Sequence, residues 1–147
     1  MEIKKIDRNQ RDTAIQLVST VFMQFEAPDY SAEGVETFKR TAIYNNDFLD
    51  SLNMYGAYDS ETLLGVIATR NNGNHIALFF VDGKHHRQGI GKKLFQIVLE
   101  NSTGKEITVN SSPYAVEVYH RLGFVDIAPE ETTNEIRYIP MVYNPRL

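Results

Sequence analysis

The stretch around Val81 to Phe95 constrains the topology of this chain more than any other. An apolar run from His75 to Val81 gives way to the polar segment Asp82 to Gln88, and the chain resumes at Gly89-Ile90-Gly91 with Ile90, Leu94, Ile97 and Val98 at helical spacing. A further apolar run follows at Ile107 to Asn110. Strand, helix and strand in that order call for a crossover connection, so the two strands are expected to lie parallel in one sheet. The loop between the first strand and the helix also has a chemical character. Gly89 and Gly91 lack a Cβ, so an anion can approach the backbone, and the free N–H groups of the first helical turn point at it with the helix dipole behind them. Such a phosphate cradle asks little of side chains.

Composition narrows what the cradle can serve. At 147 residues and 42% apolar content, the chain is expected to form one domain, 1–147, around one core. It has no cysteine, which excludes disulfides, thiolate metal sites and cysteine nucleophiles and leaves the chemistry to oxygen and nitrogen groups. The four histidines show no ligand spacing, because His85 and His86 adjoin, His75 falls on a strand and His120 on the polar side of a helix. No metal is expected. The segment Met1 to Asp7 lacks the apolar core of a signal peptide, and no apolar run nears the ~20 residues that span a bilayer, so a cytoplasmic location is expected. A net charge of −4 argues against nucleic acid or an anionic membrane as the main partner. Lys84, Arg87, Lys92 and Lys93 are a local exception, either a solvated helix start or part of the anion site.

The remaining elements follow from periodicity and turn chemistry. Ile3 and Ile6 suggest an opening strand, and the residues from Ala14 to Phe25 keep helical spacing up to Pro28. A second helix starts at Ser31 as N-cap, weakened by Gly34 and blurred at its end by Asn45-Asn46-Asp47. Strands are expected at Tyr55 to Tyr58, Leu63 to Thr69 and His75 to Val81, the last two joined as a hairpin by Asn71-Asn72-Gly73-Asn74, whose residues tolerate positive φ. Gly104 lies just beyond the end of the helix that follows the glycine loop. After the strand at Ile107, Ser111-Ser112-Pro113 signals a helix start by hydroxyl cap and first-turn proline, and Gly123 suits a left-handed stop. Closing strands fall near Phe124 to Ile127 and Ile136 to Tyr143, with Pro140 implying an edge or a bulge.

Two familiar phosphate loops do not match. A Rossmann fingerprint needs glycine at Leu94, and a P-loop needs glycine at His86 and a hydroxyl at Lys93. The run His86-Arg87-Gln88-Gly89-Ile90-Gly91 instead resembles motif A of the GCN5-related N-acetyltransferases, Gln/Arg-x-x-Gly-x-Gly/Ala, with His86 departing from the usual first residue. Asn110-Ser-Ser-Pro-Tyr-Ala-Val-Glu-Val-Tyr119-His-Arg-Leu-Gly-Phe124 resembles the family's motif B at the expected separation. The resemblance extends from Ile3 to about Tyr143. It implies an α/β acetyltransferase fold, with a mixed, mostly antiparallel sheet of about six or seven strands, a central parallel pair and about four flanking helices.

The same resemblance implies site residues. Acetyl-CoA would be the co-substrate, its pyrophosphate held by the loop from His86 to Gly91 with Lys92, and its pantetheine paired with the backbone of Phe79, Phe80 and Val81 as though adding a strand. Asn110 is either a helix cap or, as the resemblance implies, a hydrogen-bonding partner of pantetheine or of a nearby water. Tyr119 is either an amphipathic core residue or the acid that protonates the departing thiolate, with Phe124 fixing its orientation. Many relatives carry a glutamate on the strand before the glycine loop; this chain has none there. Glu26 is the first choice for a base, ahead of Asp29 and Tyr30, in the region that usually walls the acceptor site. The expected function is transfer of acetyl to a primary amine of a small molecule or peptide by direct attack in a ternary complex. The alternative is a CoA-binding sensor or partner module without catalysis. Net acidity mildly favours cationic acceptors, and a homodimer is allowed for.

Overall fold

A computed structural model describes residues 1–86, 88–103 and 106–144. Glu2–Lys5 (β1) is followed by Arg11–Val21 (α1), Ala32–Phe38 (α2) and Asn46–Asp50 (α3). The meander Asn53–Asp59 (β2), Thr62–Arg70 (β3) and His75–Val81 (β4) leads into Ile90–Asn101 (α4), Ile107–Ser111 (β5) and Val116–Leu122 (α5). Val125–Asp126 (β6), Glu131–Thr133 (β7) and Ile136–Tyr143 (β8) close the chain. The sheet has eight strands in the order β1-β2-β3-β4-β5-β8-β6, with β7 also paired to β8. Every pairing is antiparallel except β4 with β5. The α4 crossover therefore sits where the sequence puts it.

In place of one core, the sheet separates two apolar clusters. Leu94 and Val98 of α4 pack with Ile67, Val109, Phe124 and Met141 on one face, while Val18 and Phe22 pack with Val66, Ala68, Leu78 and Phe80 on the other. A central sheet with helices on both faces has two apolar surfaces to cover. The turn at Asn71 to Gly73 forms as expected, with φ of 56°, 58° and 84°.

Several local readings are corrected. The first helix widens at its end into a π-helical turn, Phe22–Glu26, and then a tight 3₁₀ turn, Ala27–Asp29. The blurred end of the second helix is a similar wide turn, Lys39–Ile43, after which Asn45 caps α3 by accepting the Phe48 N–H at 3.0 Å. Ser111 belongs to β5, and Ser112 accepts the Ala115 N–H at 3.2 Å, so α5 begins at Val116, after a turn, and not at Pro113. Pro140 lies on neither an edge nor a bulge: β8 runs unshifted beside β5, with Asn110 opposite Pro140. Its carbonyl accepts the Ile127 N–H at 2.9 Å. The missing N–H faces the same side, between the end of β6 and the start of β7, where no ladder bond is lost. Gly34 has a positive role, since a Cβ there would collide with the Glu135 carbonyl in the β7–β8 turn. Gly104 lies outside the described residues.

Candidate active site

The site begins where the parallel pair comes apart. β4 and β5 are in register only at His75 with Thr108 and Ile76 with Val109. One residue further, Ala77 is the extra residue of a bulge, because Ala68 opposes Leu78 while Thr69 opposes Ile76. A bulge bends its strand, and β4 leaves β5 at this point. Beyond it one side of β4 is open. Asp82 donates to the Leu64 carbonyl at 2.8 Å, so by alternation Phe80 spends its N–H and C=O on Val66, whereas those of Phe79 and Val81 face away from β3. The free edge thus belongs to Phe79 and Val81. His86 Nε2 lies 2.7 Å from the Val81 carbonyl and caps it, its ring 4.9 Å from that of Phe25.

The glycine loop follows directly. Gly89 is the N-cap of α4 in a left-handed conformation, φ 82°, with no side chain capping the helix. A Cβ there would meet nothing within 4 Å, so space lies open over the N–H groups of Ile90, Gly91 and Lys92. A Cβ on Gly91 would stand 3.4 Å from the Phe79 ring. Gln88 is exposed, with His85 Nδ1 3.2 Å from its Oε1. Arg87 lies outside the described residues. A cleft of about 490 Å³ runs from this loop past Phe79 and Val81 to Tyr119, with Lys92 and Arg121 on its walls.

A second cleft, of about 470 Å³, opens on the other side and is walled by Tyr30, Phe38, Leu78, Ile136 and Tyr138. Glu26, Phe79, Phe80, Ala115 and Tyr119 line both. Glu26 is the last residue of the wide turn after α1, a kind of turn often found at functional sites. Burial pushes its carboxyl up from 4.5 to about 7; a hydrogen bond from Ser112 opposes the rise and the nearby Asp29 charge adds to it. Tyr119 is 5% exposed. Its ring sits edge-on to Phe79 at 5.8 Å and to Phe124 at 5.2 Å. Gly123, at φ 105°, lets the Phe124 N–H return to the Tyr119 carbonyl at 3.0 Å, which seats the Phe124 ring. No buried side-chain polar atom among the described residues lacks a hydrogen-bond partner, and the Tyr119 hydroxyl makes no hydrogen bond with a described residue, so it is open to the cleft. Burial, reinforced by the Glu26 charge, holds that hydroxyl well above the ordinary tyrosine range and keeps it protonated.

Glu26, Tyr119, Phe79, Val81 and the glycine loop therefore surround one continuous space. Asn110 is set apart from the loop. It is exposed on β5, makes no capping bond and lines only the second cleft. Asp29 is exposed and offers its carbonyl to Arg137 Nη1 at 2.8 Å; Tyr30 donates its hydroxyl to the Arg137 carbonyl at 3.2 Å. Ser112 has a part beyond capping, beside Glu26, that no local pattern signals. No helix among the described residues is long and apolar enough to cross a membrane, and no group of His, Asp and Glu among them could hold a metal.

A family model for the acetyltransferase (GNAT) domain matches residues 26–145. A search among curated proteins returns no match. Among solved structures, a GCN5-related N-acetyltransferase from Rhodopseudomonas palustris aligns with a TM-score of 0.85 at 17% identity, over 97% of this chain and 94% of that one. The PaiA N-acetyltransferase from Thermoplasma acidophilum, solved with coenzyme A, aligns at 0.74 and 20% identity over 97% and 98%. An aminoglycoside 6′-N-acetyltransferase complexed with coenzyme A aligns at 0.64 and 15% over 98% and 97%. The family match over most of the length, on a sheet that splays beside a glycine loop, identifies this chain as a member of the GNAT acetyltransferase family.

Proposed function

We propose that the protein is a cytoplasmic enzyme that transfers the acetyl group of acetyl-CoA to a primary amine by direct attack in a ternary complex. The observation that carries this reading is the meeting of two clefts at Glu26 and Tyr119, one leading to the glycine loop and the other to an aromatic-walled space. In the first, acetyl-CoA places its pyrophosphate on the amides at Ile90, Gly91 and Lys92. Pantetheine hydrogen-bonds to Phe79 N–H and C=O and to Val81 N–H, since His86 already takes the Val81 carbonyl. Coenzyme A bound to two of the structural neighbours supports the co-substrate.

The acceptor amine enters from the second cleft. Alkyl ammonium groups have a pKa of ~10, so a proton must be removed before attack. A carboxylate raised to about 7 is half ionised near neutrality and holds the proton it accepts, as a general base at that pH requires. The amine nitrogen attacks the thioester carbonyl, the C–S bond breaks, and the thiolate leaves beside the Tyr119 hydroxyl. A phenol raised above its usual range does not hand its proton outright to a thiolate of pKa ~8.5, but it donates a hydrogen bond to the developing charge. Once Glu26 carries the amine's proton it is neutral, and of the two causes that hold the phenol up, burial and the Glu26 charge, the lesser one is gone. Tyr119 is then a better acid at the moment the thiolate needs one.

The alternative of a CoA-binding module without catalysis rested on the missing glutamate in His75 to Val81. Glu26 supplies a carboxylate from another element and removes that motive. The test is calorimetric titration with acetyl-CoA together with thiol release across a panel of amines that includes peptides with free amino termini. Binding plus turnover above buffer is expected. No binding of acetyl-CoA or CoA at low salt would sink the reading, and binding with silence on every amine would turn it to the sensor.

A further inference from the structure

The second cleft has a charge pattern that acetyl transfer alone does not require. Glu26 is the one carboxylate among its described lining residues and Arg70 the one cation. Its walls mix Phe38, Leu78, Ile136 and Tyr138 with the hydroxyls and amide of Thr41, Thr133 and Asn110. Arg70 ends β3 opposite His75. Its guanidinium makes no hydrogen bond or ion pair with any described residue, whereas Arg11 is paired with Asp50 at 2.8 Å and Arg137 with Glu130 at 3.0 Å. Burial and the Arg70 charge itself push the His75 imidazole down to about 4, so at neutral pH the neighbouring imidazole adds no positive charge to that of the guanidinium. A guanidinium with no carboxylate partner among the described residues, at the mouth of a cleft, is suited to take one from a ligand.

The spacing sets the size of that ligand. Five residue steps along β4 lead from His75, opposite Arg70, to Phe80 at the Glu26 end, about 16 Å at ~3.3 Å per step, and the length of an arginine side chain brings the charges to on the order of 10 Å. A free amino acid is too short. An extended tripeptide spans about 10 Å.

Resting on the acetyltransferase reading above, we propose that the acceptor is a primary amine joined through a spacer of on the order of 10 Å to an anion, the chemistry of a short peptide with a free carboxyl terminus, and that Arg70 is the specificity-determining residue that holds the anion. A polyamine or aminoglycoside would set a second ammonium against Arg70, so the cationic acceptors that net acidity favours are the poorer fit.

The test uses the peptide Ala-Leu-Phe as free acid and as carboxamide, with acetyl-CoA. The acid is expected to have the higher kcat/KM by about tenfold, the size of a partly exposed charge-assisted hydrogen bond. In Arg70→Ala the ratio falls to about one and in Arg70→Glu it inverts, while Arg70→Lys keeps part of the preference. Melting temperatures of the variants exclude a folding cause. Binding of the N-acetylated acid and amide to the CoA-loaded protein reads the same preference without turnover. Equal use and equal binding of the two forms by the native protein, or a preference that survives in Arg70→Ala, would overturn the proposal. Loss of turnover on every amine with the binding preference intact would overturn the acetyltransferase reading and leave the Arg70 site standing.

Discussion

Tyr119 and Glu26 come from helical segments far apart in sequence, and the charge of one acts on the other. Replacing Tyr119 with Phe removes only the O–H; the ring keeps its edge-on contacts with Phe79 and Phe124. Acetyl-CoA affinity and melting temperature should stay near the native values, and kcat should fall about 10²-fold, the lower end of the range for general acid catalysis, because water can partly replace the phenol as donor to a thiolate. Full activity in Tyr119→Phe at every pH would return Tyr119 to the core and shift attention to Tyr114, which is exposed on the wall of the first cleft with its ring 5.4 Å from Phe25. Glu26→Gln acts on the other proton. Protonated Glu26 cannot accept from the ammonium, so native kcat/KM should rise through pH about 7 as the carboxyl ionises. In Glu26→Gln that step should vanish, and rate should track only the free-amine fraction of the acceptor. A pH–rate profile decides it, and a step near pH 7 that persists in the variant would assign the base elsewhere.

Secondary-structure elements set these two groups in place, and the glycine loop is the element whose replacement is cleanest to read. Gly91→Val puts a branched side chain on the first turn of α4, where a Cβ has ordinary van der Waals contact with Phe79, so the fold should hold. The branch then stands over the amides proposed to hold phosphate oxygens, and coenzyme A affinity should drop about tenfold or more, as for one lost hydrogen bond to a charged group. Isothermal titration reads this directly, and unchanged affinity would move the phosphates off the loop. Gly89 is a poorer target because its φ of 82° would strain any other residue. At this scale the sequence was largely legible, since local signals define local elements. The crossover from β4 through α4 to β5, the Asn-Asn-Gly turn and the Gly123 stop all carry their chemistry in a few adjacent residues. β7 was not legible: Glu131 to Thr133 are three exposed polar residues that pair only because β8 lies beside them. The wide turn at Phe22–Glu26 has the same apolar spacing as a regular helix. Glu26 could be singled out by its place in the chain, but its burial, its Ser112 partner and its closeness to Tyr119 depend on contacts across nearly a hundred residues. Arg70 is a lone cation at a strand end, and only the cleft gives it meaning.

For the whole molecule, the cost of building this site should appear in how stability varies with pH. Two buried groups titrate in opposite senses over nearly the same window. Glu26 goes from 4.5 in the unfolded chain to about 7 in the fold, so the folded state binds its proton first, and stability is lost as pH rises from 4.5 to 7. His75 goes from 6.5 to about 4 because of burial and then the Arg70 charge, with Nδ1 held 2.8 Å from Thr108 Oγ1. Here the unfolded chain binds the proton first, and stability is lost as pH falls from 6.5 to 4. Each whole proton corresponds to up to ~1.4 kcal/mol per pH unit. The His75 share is smaller because its ring is only partly shielded from solvent. Between pH 5 and 6.5 the two slopes therefore oppose, and the native protein hides both. Single substitutions should expose them. Relative to the native protein, Glu26→Gln should gain stability at pH 8, where the native carboxylate is buried as an anion, and should lose that advantage towards pH 5. His75→Gln should move the other way, gaining relative to the native protein as the solution is acidified. Urea unfolding midpoints at pH 8, 6.5 and 5 measure both, and groups common to all three proteins cancel in the differences. If Glu26→Gln kept a constant offset from the native protein across the range, Glu26 would not be the buried, proton-holding carboxyl on which the transfer step relies, and the base would have to be sought among the solvent-linked groups at the mouth of the second cleft.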